Sequence, residues 1–145
     1  QLVQSGMSPN AIDETGRTPM FDAAEKDRID VAEFLISQNA SLVLVDKAGI
    51  TVLAAAVLAR RPRMVEFLLT KQVPVEQRLA NLSTVLHLAA ASLPESIEVL
   101  MRAGANPLAV DFKNRSALHF ASTAESVQAL LHFNVSSTRS AAFGL

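Results

Sequence analysis

Three histidines are the side chains best suited to metal binding or acid–base chemistry in this sequence of 145 residues. His87 and His119 occupy equivalent places in two similar segments, and His132 lies near the end of a predicted helix. Two imidazoles that share a zinc ion must each place a nitrogen about 2.1 Å from the metal. Neighbouring helices pack with axes roughly 8–10 Å apart, so His87 and His119 are too distant to share one. We therefore expect structural roles for His87 and His119, a surface position for His132, and no metal site.

Carboxylates and nucleophiles give no catalytic constellation either. Asp27, Asp30 and Glu33 are close in sequence, but we interpret Asp27 as a helix N-cap and the other two as the solvated face of that helix. The motifs of serine hydrolases, phosphate-binding loops, dinucleotide-binding folds and zinc peptidases are missing. The sequence also has no cysteine. We predict no catalytic residue, no cofactor and no enzyme activity in this segment.

Three arginines, Arg60, Arg61 and Arg63, surround Pro62, which fits the first turn of a helix. Cations at a helix N-terminus face the positive end of the helix dipole, at a cost of about 0.3–1 kcal/mol each. No capping side chain offsets this cost. We predict that the three arginines bind an anion, either a phosphate or an acidic partner segment. The alternative is a solvated basic turn that pairs with Glu66 or Glu95.

The composition describes a folded chain with little net charge. Lys and Arg number 13 and Asp and Glu 14, which gives a net charge of −1 and no general attraction for nucleic acid. Hydrophobic residues make up 50% and charged residues 19%, and the mean hydropathy is +0.27, which excludes disorder. The longest apolar run, residues 52–59, is far shorter than the roughly 18 residues that span a bilayer. We expect a soluble protein without nucleic-acid or membrane partners.

The sequence repeats itself with a period of about 33 residues, which is the main indication of its fold. Each copy contains a short motif, then a stretch of small residues, then a second apolar run. This order predicts two short helices per repeat. The N-caps of the first helices should be Thr18, Thr51, Thr84 and Ser116, with Pro19 at a first helical position. The copies of the motif are Gly16–Met20, Gly49–Leu53, Leu82–His87 and Asn114–His119.

The segments Thr18–Ala24, Thr84–Ala90 and Gly104–Pro107 resemble the ankyrin repeat family over essentially the whole chain. The resemblance implies an all-α fold, an ankyrin-repeat solenoid of helix-turn-helix units with β-hairpin-like loops. Residues 1–145 then form a single domain. We expect both ends to be cut, so that the chain is a fragment of a longer protein. The predicted divisions are a partial repeat at 1–12, repeats at 13–45, 46–78, 79–110 and 111–140, and the start of a further repeat at 141–145.

Several positions depart from the family pattern. In this family a histidine supports the hairpin by hydrogen bonds, and His87 and His119 stand at its position. Phe21 and Ala54 replace that histidine in the first two repeats. Asparagines replace three of the glycines of the family, where we expect positive φ rather than glycosylation at their N-x-S/T sequons. These asparagines are Asn39, Asn114 and Asn134.

The third and fourth repeats are shorter between their helices. Residues 92–95 and 122–125 read as capping boxes, so we predict that each second helix begins directly after a tightened turn. The apolar positions of all four repeats predict one continuous core. Its members are Met20, Leu35, Leu53, Leu68, Leu86, Leu100, Leu118 and Leu130.

The family resemblance implies that partners bind at the hairpin tips and the outward side of each first helix. Phe112 is the strongest candidate, because aromatic anchors dominate interface hot spots. The alternative is that Phe112 packs on Leu79 or Phe143 and extends the core. We expect a protein or peptide segment that is apolar with acidic flanks, and no small-molecule substrate. The predicted contact residues are Phe112, Ile50, Leu58, Arg17, Lys47, Lys113 and Arg115.

The predicted function is that of a non-catalytic protein–protein interaction scaffold. One alternative is a regulatory or targeting ankyrin segment of a larger enzyme, channel or bacterial effector whose chemistry lies outside this fragment. Another is an intramolecular spacer with no external ligand. We expect an intracellular location, in the cytoplasm or nucleus, and the sequence does not decide between these two compartments.

Overall fold

The structure, a computed structural model, describes residues 8–132. These residues form short helices joined by loops, and a 3-10 turn at Pro94–Ser96 directly precedes the helix Ile97–Arg102. Residues 124–132 are also helical and are called α8. The all-α prediction of helix-turn-helix units is confirmed, whereas the repeat boundaries stay predictions. The first seven α-helices are α1 (Pro19–Glu25), α2 (Ile29–Ser37), α3 (Val52–Leu58), α4 (Pro62–Thr70), α5 (Val85–Ser92), α6 (Ile97–Arg102) and α7 (Ala117–Phe120).

The first helix of each repeat begins where the sequence predicts. Thr18, Thr51, Thr84 and Ser116 are the N-caps of α1, α3, α5 and α7. The Thr51 hydroxyl accepts a hydrogen bond from the Ala54 amide at 3.0 Å. Pro19 opens α1, where the missing N–H would have no helical partner. All four residues thus hold the predicted N-cap positions, although the buried Thr18 hydroxyl makes no cap bond.

The described residues divide into two compact units between Pro74 and Val75. In the first unit α1 packs on α2 and α3, and α3 packs on α4. In the second unit α5 packs on α6 and α7. Leu118 is only partly buried, because the buried residue of the four-residue helix α7 is Ala117. The core predictions are confirmed at the other positions, Met20, Leu35, Leu53, Leu68, Leu86, Leu100 and Leu130.

The turns between paired helices differ from the predictions. Asp27 adopts a φ of 58° after α1, and Arg28 is the residue at the N-cap of α2. An N-cap needs extended backbone, which a left-handed residue does not provide. The prediction that Asp27 caps α2 is therefore wrong. Arg60 occupies the equivalent place after α3, with a φ of 62°.

Both predicted capping boxes are wrong. Ser92 is the last residue of α5, so it cannot cap a later helix, and Pro94 opens a 3-10 turn instead. In the fourth repeat the Thr123 hydroxyl accepts from the Ser126 amide at 3.1 Å and caps α8. The Ser122 hydroxyl instead donates to the Ala91 carbonyl at 3.0 Å. The shortened turn of the fourth repeat is thus bonded to the preceding repeat, whereas that of the third is closed by local backbone bonds at Leu93 and Ser96.

Four hairpin loops, residues 13–17, 46–50, 79–83 and 111–115, are each closed by a bond from the first amide to the last carbonyl, at 2.9–3.0 Å. Three of them begin with an aspartate that accepts two backbone N–H groups of its own loop. In the last loop Asp111 accepts from the amides of Lys113 and Arg115, each at 2.9 Å. Asp13 and Asp46 make the equivalent bonds. Each hairpin tip is thus preorganised by a local carboxylate, except the third.

The fourth residue of every hairpin loop is left-handed. Gly16 and Gly49 have φ values of 82° and 80°, and Leu82 and Asn114 have values of 64° and 62°. Asn39, at the end of a second helix, has a φ of 69°. The predictions for Asn39 and Asn114 are confirmed, and Asn134 lies outside the described residues. Asparagine tolerates this conformation far better than leucine does.

His87 connects α5 to the hairpin of the following repeat. Its buried imidazole accepts at Nδ1 from the Thr84 amide, at 3.1 Å. The acceptor role of Nδ1 leaves the proton on Nε2, which donates to the Arg115 carbonyl at 2.9 Å. The ring also packs edge-on against Phe120, with centroids 5.3 Å apart. The predicted structural role of His87 is confirmed.

We predict that His87→Leu lowers the free energy of unfolding by about 2 kcal/mol, because it leaves the buried Thr84 amide without a partner and removes one of the two bonds to the Arg115 carbonyl. His119→Leu is the matched control. His119 makes the same bond to the amide of its N-cap, at 3.2 Å, but is exposed, so its loss should cost less than about 1 kcal/mol. Equilibrium urea unfolding measures both values, and equal losses would contradict the role assigned to His87.

The hairpin aspartates make stability sensitive to acid. Burial alone would raise the pKa of Asp111, but the N–H bonds from Arg115 and Lys113 and the Arg115 guanidinium outweigh it and lower the pKa to about 2. Burial also opposes the shift at Asp46, whose pKa is lowered by its backbone bonds and by Arg17. A carboxylate with a depressed pKa stabilises the fold above its ordinary pKa and loses this contribution as pH falls.

We predict that the protein loses stability between about pH 4 and pH 2, and that Asp111→Asn loses less over this interval. The variant should already be less stable at pH 7, because the ion pair with Arg115 is gone. Urea unfolding at a series of pH values measures this. Asp22→Asn, at an exposed site on α1, is the matched substitution for comparison. Parallel curves for Asp111→Asn and the natural chain would contradict the assignment.

Candidate partner-binding surface

Hairpin loops that are neighbours within a unit are joined at their tips by a backbone bond. In the first unit the Lys47 amide donates to the Thr15 carbonyl at 2.9 Å. In the second unit the Phe112 amide donates to the Asn81 carbonyl at 3.2 Å. Each pair of tips therefore presents its outward side chains from a connected backbone.

Two of the predicted contact residues, Arg17 and Arg115, take part in the internal bonding of the loops. Arg17 forms ion pairs with Asp46, at 2.9 Å, and with Glu25, and its guanidinium lies over the Phe21 ring. In the first unit Arg17 thus bonds to the hairpin of the following repeat, as His87 does in the second unit. Arg115 pairs with Asp111 in its own loop at 2.9 Å. Both guanidinium groups are partly exposed, but their charges are already compensated.

The remaining predicted contact residues are more accessible. The ring of Phe112 is 59% exposed, and the ammonium group of Lys113 lies 5.5 Å from its centroid. Lys47 is exposed at the second tip, and Leu58, at the end of α3, is 46% exposed. Ile50 is partly exposed. The structure therefore leaves most of the Phe112 ring open to a partner. Phe143, one of the two residues on which Phe112 was expected to pack, lies outside the described residues.

The three clustered arginines do not share one environment. The Nε of Arg61 donates to the carbonyl of Glu25, the last residue of α1, at 2.8 Å. Its charge therefore faces the negative end of a helix dipole, which is favourable. No side chain caps α4, as the sequence predicts, but the charge of Arg61 is offset by the C-terminus of α1. Arg60 and Arg63 are exposed, and none of the three pairs with a carboxylate of residues 8–132.

Residues 8–132 present neither a metal-binding cluster nor a membrane-spanning helix. No group of three or more histidine, aspartate or glutamate side chains in residues 8–132 is arranged to hold a metal ion. None of the helices in that range is both long enough and apolar enough to cross a lipid bilayer. A cleft lined by Glu95, Glu98, Glu125 and His132 lies between α6 and α8.

The sequence analysis did not predict the role of the hairpin aspartates or the bond from Arg61 to Glu25. The aspartates carry a local signal, since Asp13, Asp46 and Asp111 each stand three residues before a glycine or asparagine with positive φ. The bond from Arg61 to Glu25 has no such signal, because the two residues are 36 positions apart.

Comparison with known proteins gives consistent matches along the chain. A family model described as ankyrin repeats in three copies matches residues 1–80, and a model of one ankyrin repeat matches residues 81–112. The chain is 34% identical over 128 residues to neurogenic locus notch homolog protein 1 of Xenopus tropicalis, which covers 87% of the chain. It is 33% identical over 133 residues to neurogenic locus notch homolog protein 2 of Homo sapiens, which covers 90% of the chain.

The chain spans only about 5% of the length of these relatives. The similarity therefore concerns one segment of much longer proteins. The family model for three repeats alone covers more than half of the chain. The chain repeats its helix pairs, the N-caps of its first helices and its left-handed hairpin residues with the period of the sequence motif. The chain belongs to the ankyrin repeat family, whose repeats serve as protein-interaction modules and are typically non-catalytic.

Proposed function

We propose that this chain is a non-catalytic scaffold that binds a partner protein or peptide segment through its hairpin tips and the outward side of its first helices. The exposed Phe112 ring carries the proposal, because it stands on a tip whose backbone is already held by hydrogen bonds. A preformed surface lowers the ordering cost of association. An aromatic side chain that is mostly solvent-exposed in the free protein gains contact area on binding.

The proposed partner is apolar with acidic flanks. In the first unit Ile50 and Leu58 offer apolar contacts and Lys47 an exposed cation. In the second unit Phe112 and Lys113 offer the same two kinds of contact. The charges of Arg17 and Arg115 are already paired with carboxylates of this chain, so these residues contribute mainly by holding the tips.

The basic turn after α3 is a second proposed contact, for an anionic part of the partner. Arg60 and Arg63 are exposed and carry this part of the proposal. Arg61 donates to the Glu25 carbonyl through Nε, which leaves its other N–H groups to meet an anion. The bond holds the guanidinium in place, so less side-chain conformational entropy is lost when an anion binds.

The alternative function is that of a regulatory or targeting segment of a larger enzyme, channel or effector. The great length of the relatives favours this, since their matching segment is about 5% of each protein. The two proposals agree on the surface and differ in whether the chemistry of the whole protein is elsewhere. An intracellular location is part of both.

We predict that Phe112→Ala weakens partner binding by about 2 kcal/mol or more, as truncation of a hot-spot aromatic does. The partner is first identified by cross-linking and mass spectrometry of the native lysate, and its affinity is then measured by calorimetry. Phe34→Ala, at an exposed site on the second helix of the first repeat, should leave the affinity unchanged.

The same titration decides between the roles of Phe112 and of the basic turn. Unchanged affinity with a lower thermal stability in Phe112→Ala would show that the ring extends the core. In a second arm, Arg63→Glu should weaken binding and reduce its salt dependence if the turn holds an anion. An affinity that ignores both this substitution and the salt concentration would remove the turn from the surface.

A further inference from the structure

The segment that leads into the fourth hairpin presents a row of exposed apolar side chains. Leu108, Val110 and Phe112 are 66%, 38% and 59% exposed, and they alternate with the buried residues Ala109 and Asp111. Leu108 lies in the turn that the Ala109 amide closes to the Asn106 carbonyl, and Phe112 lies in the hairpin loop, so exposed and buried residues alternate from one turn to the next. We call Leu108, Val110 and Phe112 the apolar row.

Leu82 adds a second, independent observation. It has a φ of 64° at the position where the other hairpins have glycine or asparagine. A leucine in this conformation costs about 1–2 kcal/mol, and its side chain is 51% exposed, so packing does not repay the strain. Such strain without a structural gain is typical of functional positions.

Arg78 connects Leu82 to the apolar row. One nitrogen of its guanidinium, Nη1, donates to the Leu82 carbonyl at 2.6 Å and to the Val110 carbonyl at 2.8 Å. A cation is therefore held against the backbone of two exposed apolar residues. Lys113 provides a second cation beside the Phe112 ring. Within residues 8–132 neither Arg78 nor Lys113 forms an ion pair.

We propose that Leu82 and the apolar row, flanked by Arg78 and Lys113, form a docking surface. Its partner is an extended segment of another protein that has apolar residues at alternate positions and carboxylates at its ends. The proposal rests on the proposed function and narrows the partner to this class. The two uncompensated cations favour acidic ends over basic ones. The alternating row favours an extended segment, whose side chains also alternate between two faces.

The equivalent positions of the other repeats supply a matched control. Glu76 and Arg78 occupy the places of Leu108 and Val110 in the preceding repeat, so no apolar row exists there. In the first unit Val43 and Val45 occupy these places and are 52% and 45% exposed. Substitutions at Val43 and Val45 therefore remove a similar apolar area at a place that has no counterpart of Arg78.

The test uses the whole chain of 145 residues and three fluorescent synthetic heptapeptides. The first has leucine, leucine and phenylalanine separated by serines, with glutamate at both ends. The second has lysine at both ends, and the third has the composition of the first with its apolar residues adjacent. Fluorescence anisotropy should show at least tenfold tighter binding of the first peptide than of the other two.

The variant Leu108→Ser/Val110→Ser should bind the first peptide at least tenfold more weakly, and Val43→Ser/Val45→Ser should bind it as the natural chain does. Arg78→Gln should reduce the preference for glutamate over lysine ends. Circular dichroism checks that each variant is folded. Equal binding of the three peptides would overturn the inference, and so would equal binding by the natural chain and Leu108→Ser/Val110→Ser.

The outcome separates this inference from the function on which it rests. If the native partner needs Phe112, Ile50 and Leu58 but binds Leu108→Ser/Val110→Ser as tightly as the natural chain, the docking surface is wrong and the scaffold function stands. If neither set of substitutions affects any partner and no peptide binds, both proposals fail.

Discussion

The helices of this protein are too short to be stable alone, and the rest of the structure follows from that constraint. The seven helices α1 to α7 have four to nine residues, whereas isolated helices shorter than about 12–15 residues are marginal in water. Each helix pair must therefore bury its apolar face on the next, as α1 does on α3 and α5 on α7. Stability in such a chain is shared between neighbouring repeats.

The polar groups between repeats follow the same logic. Arg61 satisfies the last carbonyl of α1, His87 satisfies the Arg115 carbonyl, and Arg17 bonds to Asp46 of the next hairpin. The first two bonds reach from one repeat to a backbone group of another. If the repeats separated, the Glu25 carbonyl would lose this donor and the Arg115 carbonyl would keep only the bond from the Asp111 amide. These bonds engage Arg17 and Arg61 internally, whereas Lys47, Lys113, Arg78, Arg60 and Arg63 form no ion pair within residues 8–132.

Much of the fold could be predicted from the sequence, because it is encoded in local and repeated patterns. The period located the helix pairs, and the threonines and serine before each first helix located its start. The predictions failed where the extent of a helix or a contact with the previous repeat decides the outcome. Ser92 and Ser122 look like caps of the following helix, but α5 extends through Ser92, and Ser122 bonds to the previous repeat. Leu118 fits the core pattern, yet the short helix α7 buries Ala117 instead.

The candidate surface was predictable only in part. The position of Phe112 at a hairpin tip follows from the repeat pattern, and its exposure agrees with that position. The exposure of Leu108 and Val110 depends on how residues 108–112 lie against the preceding loop, which composition does not reveal. For Arg17 and Arg115, the sequence indicated charged tips but not the carboxylates that compensate them.

Amide hydrogen exchange of the first unit in the variant Met20→Ala tests the shared stability most directly. Met20 is fully buried in α1, and α1 packs on α3. The account predicts that the amides of α3 lose protection together with those of α1, because neither helix persists without the other. Loss of protection confined to α1, with α3 as protected as in the natural chain, would contradict it.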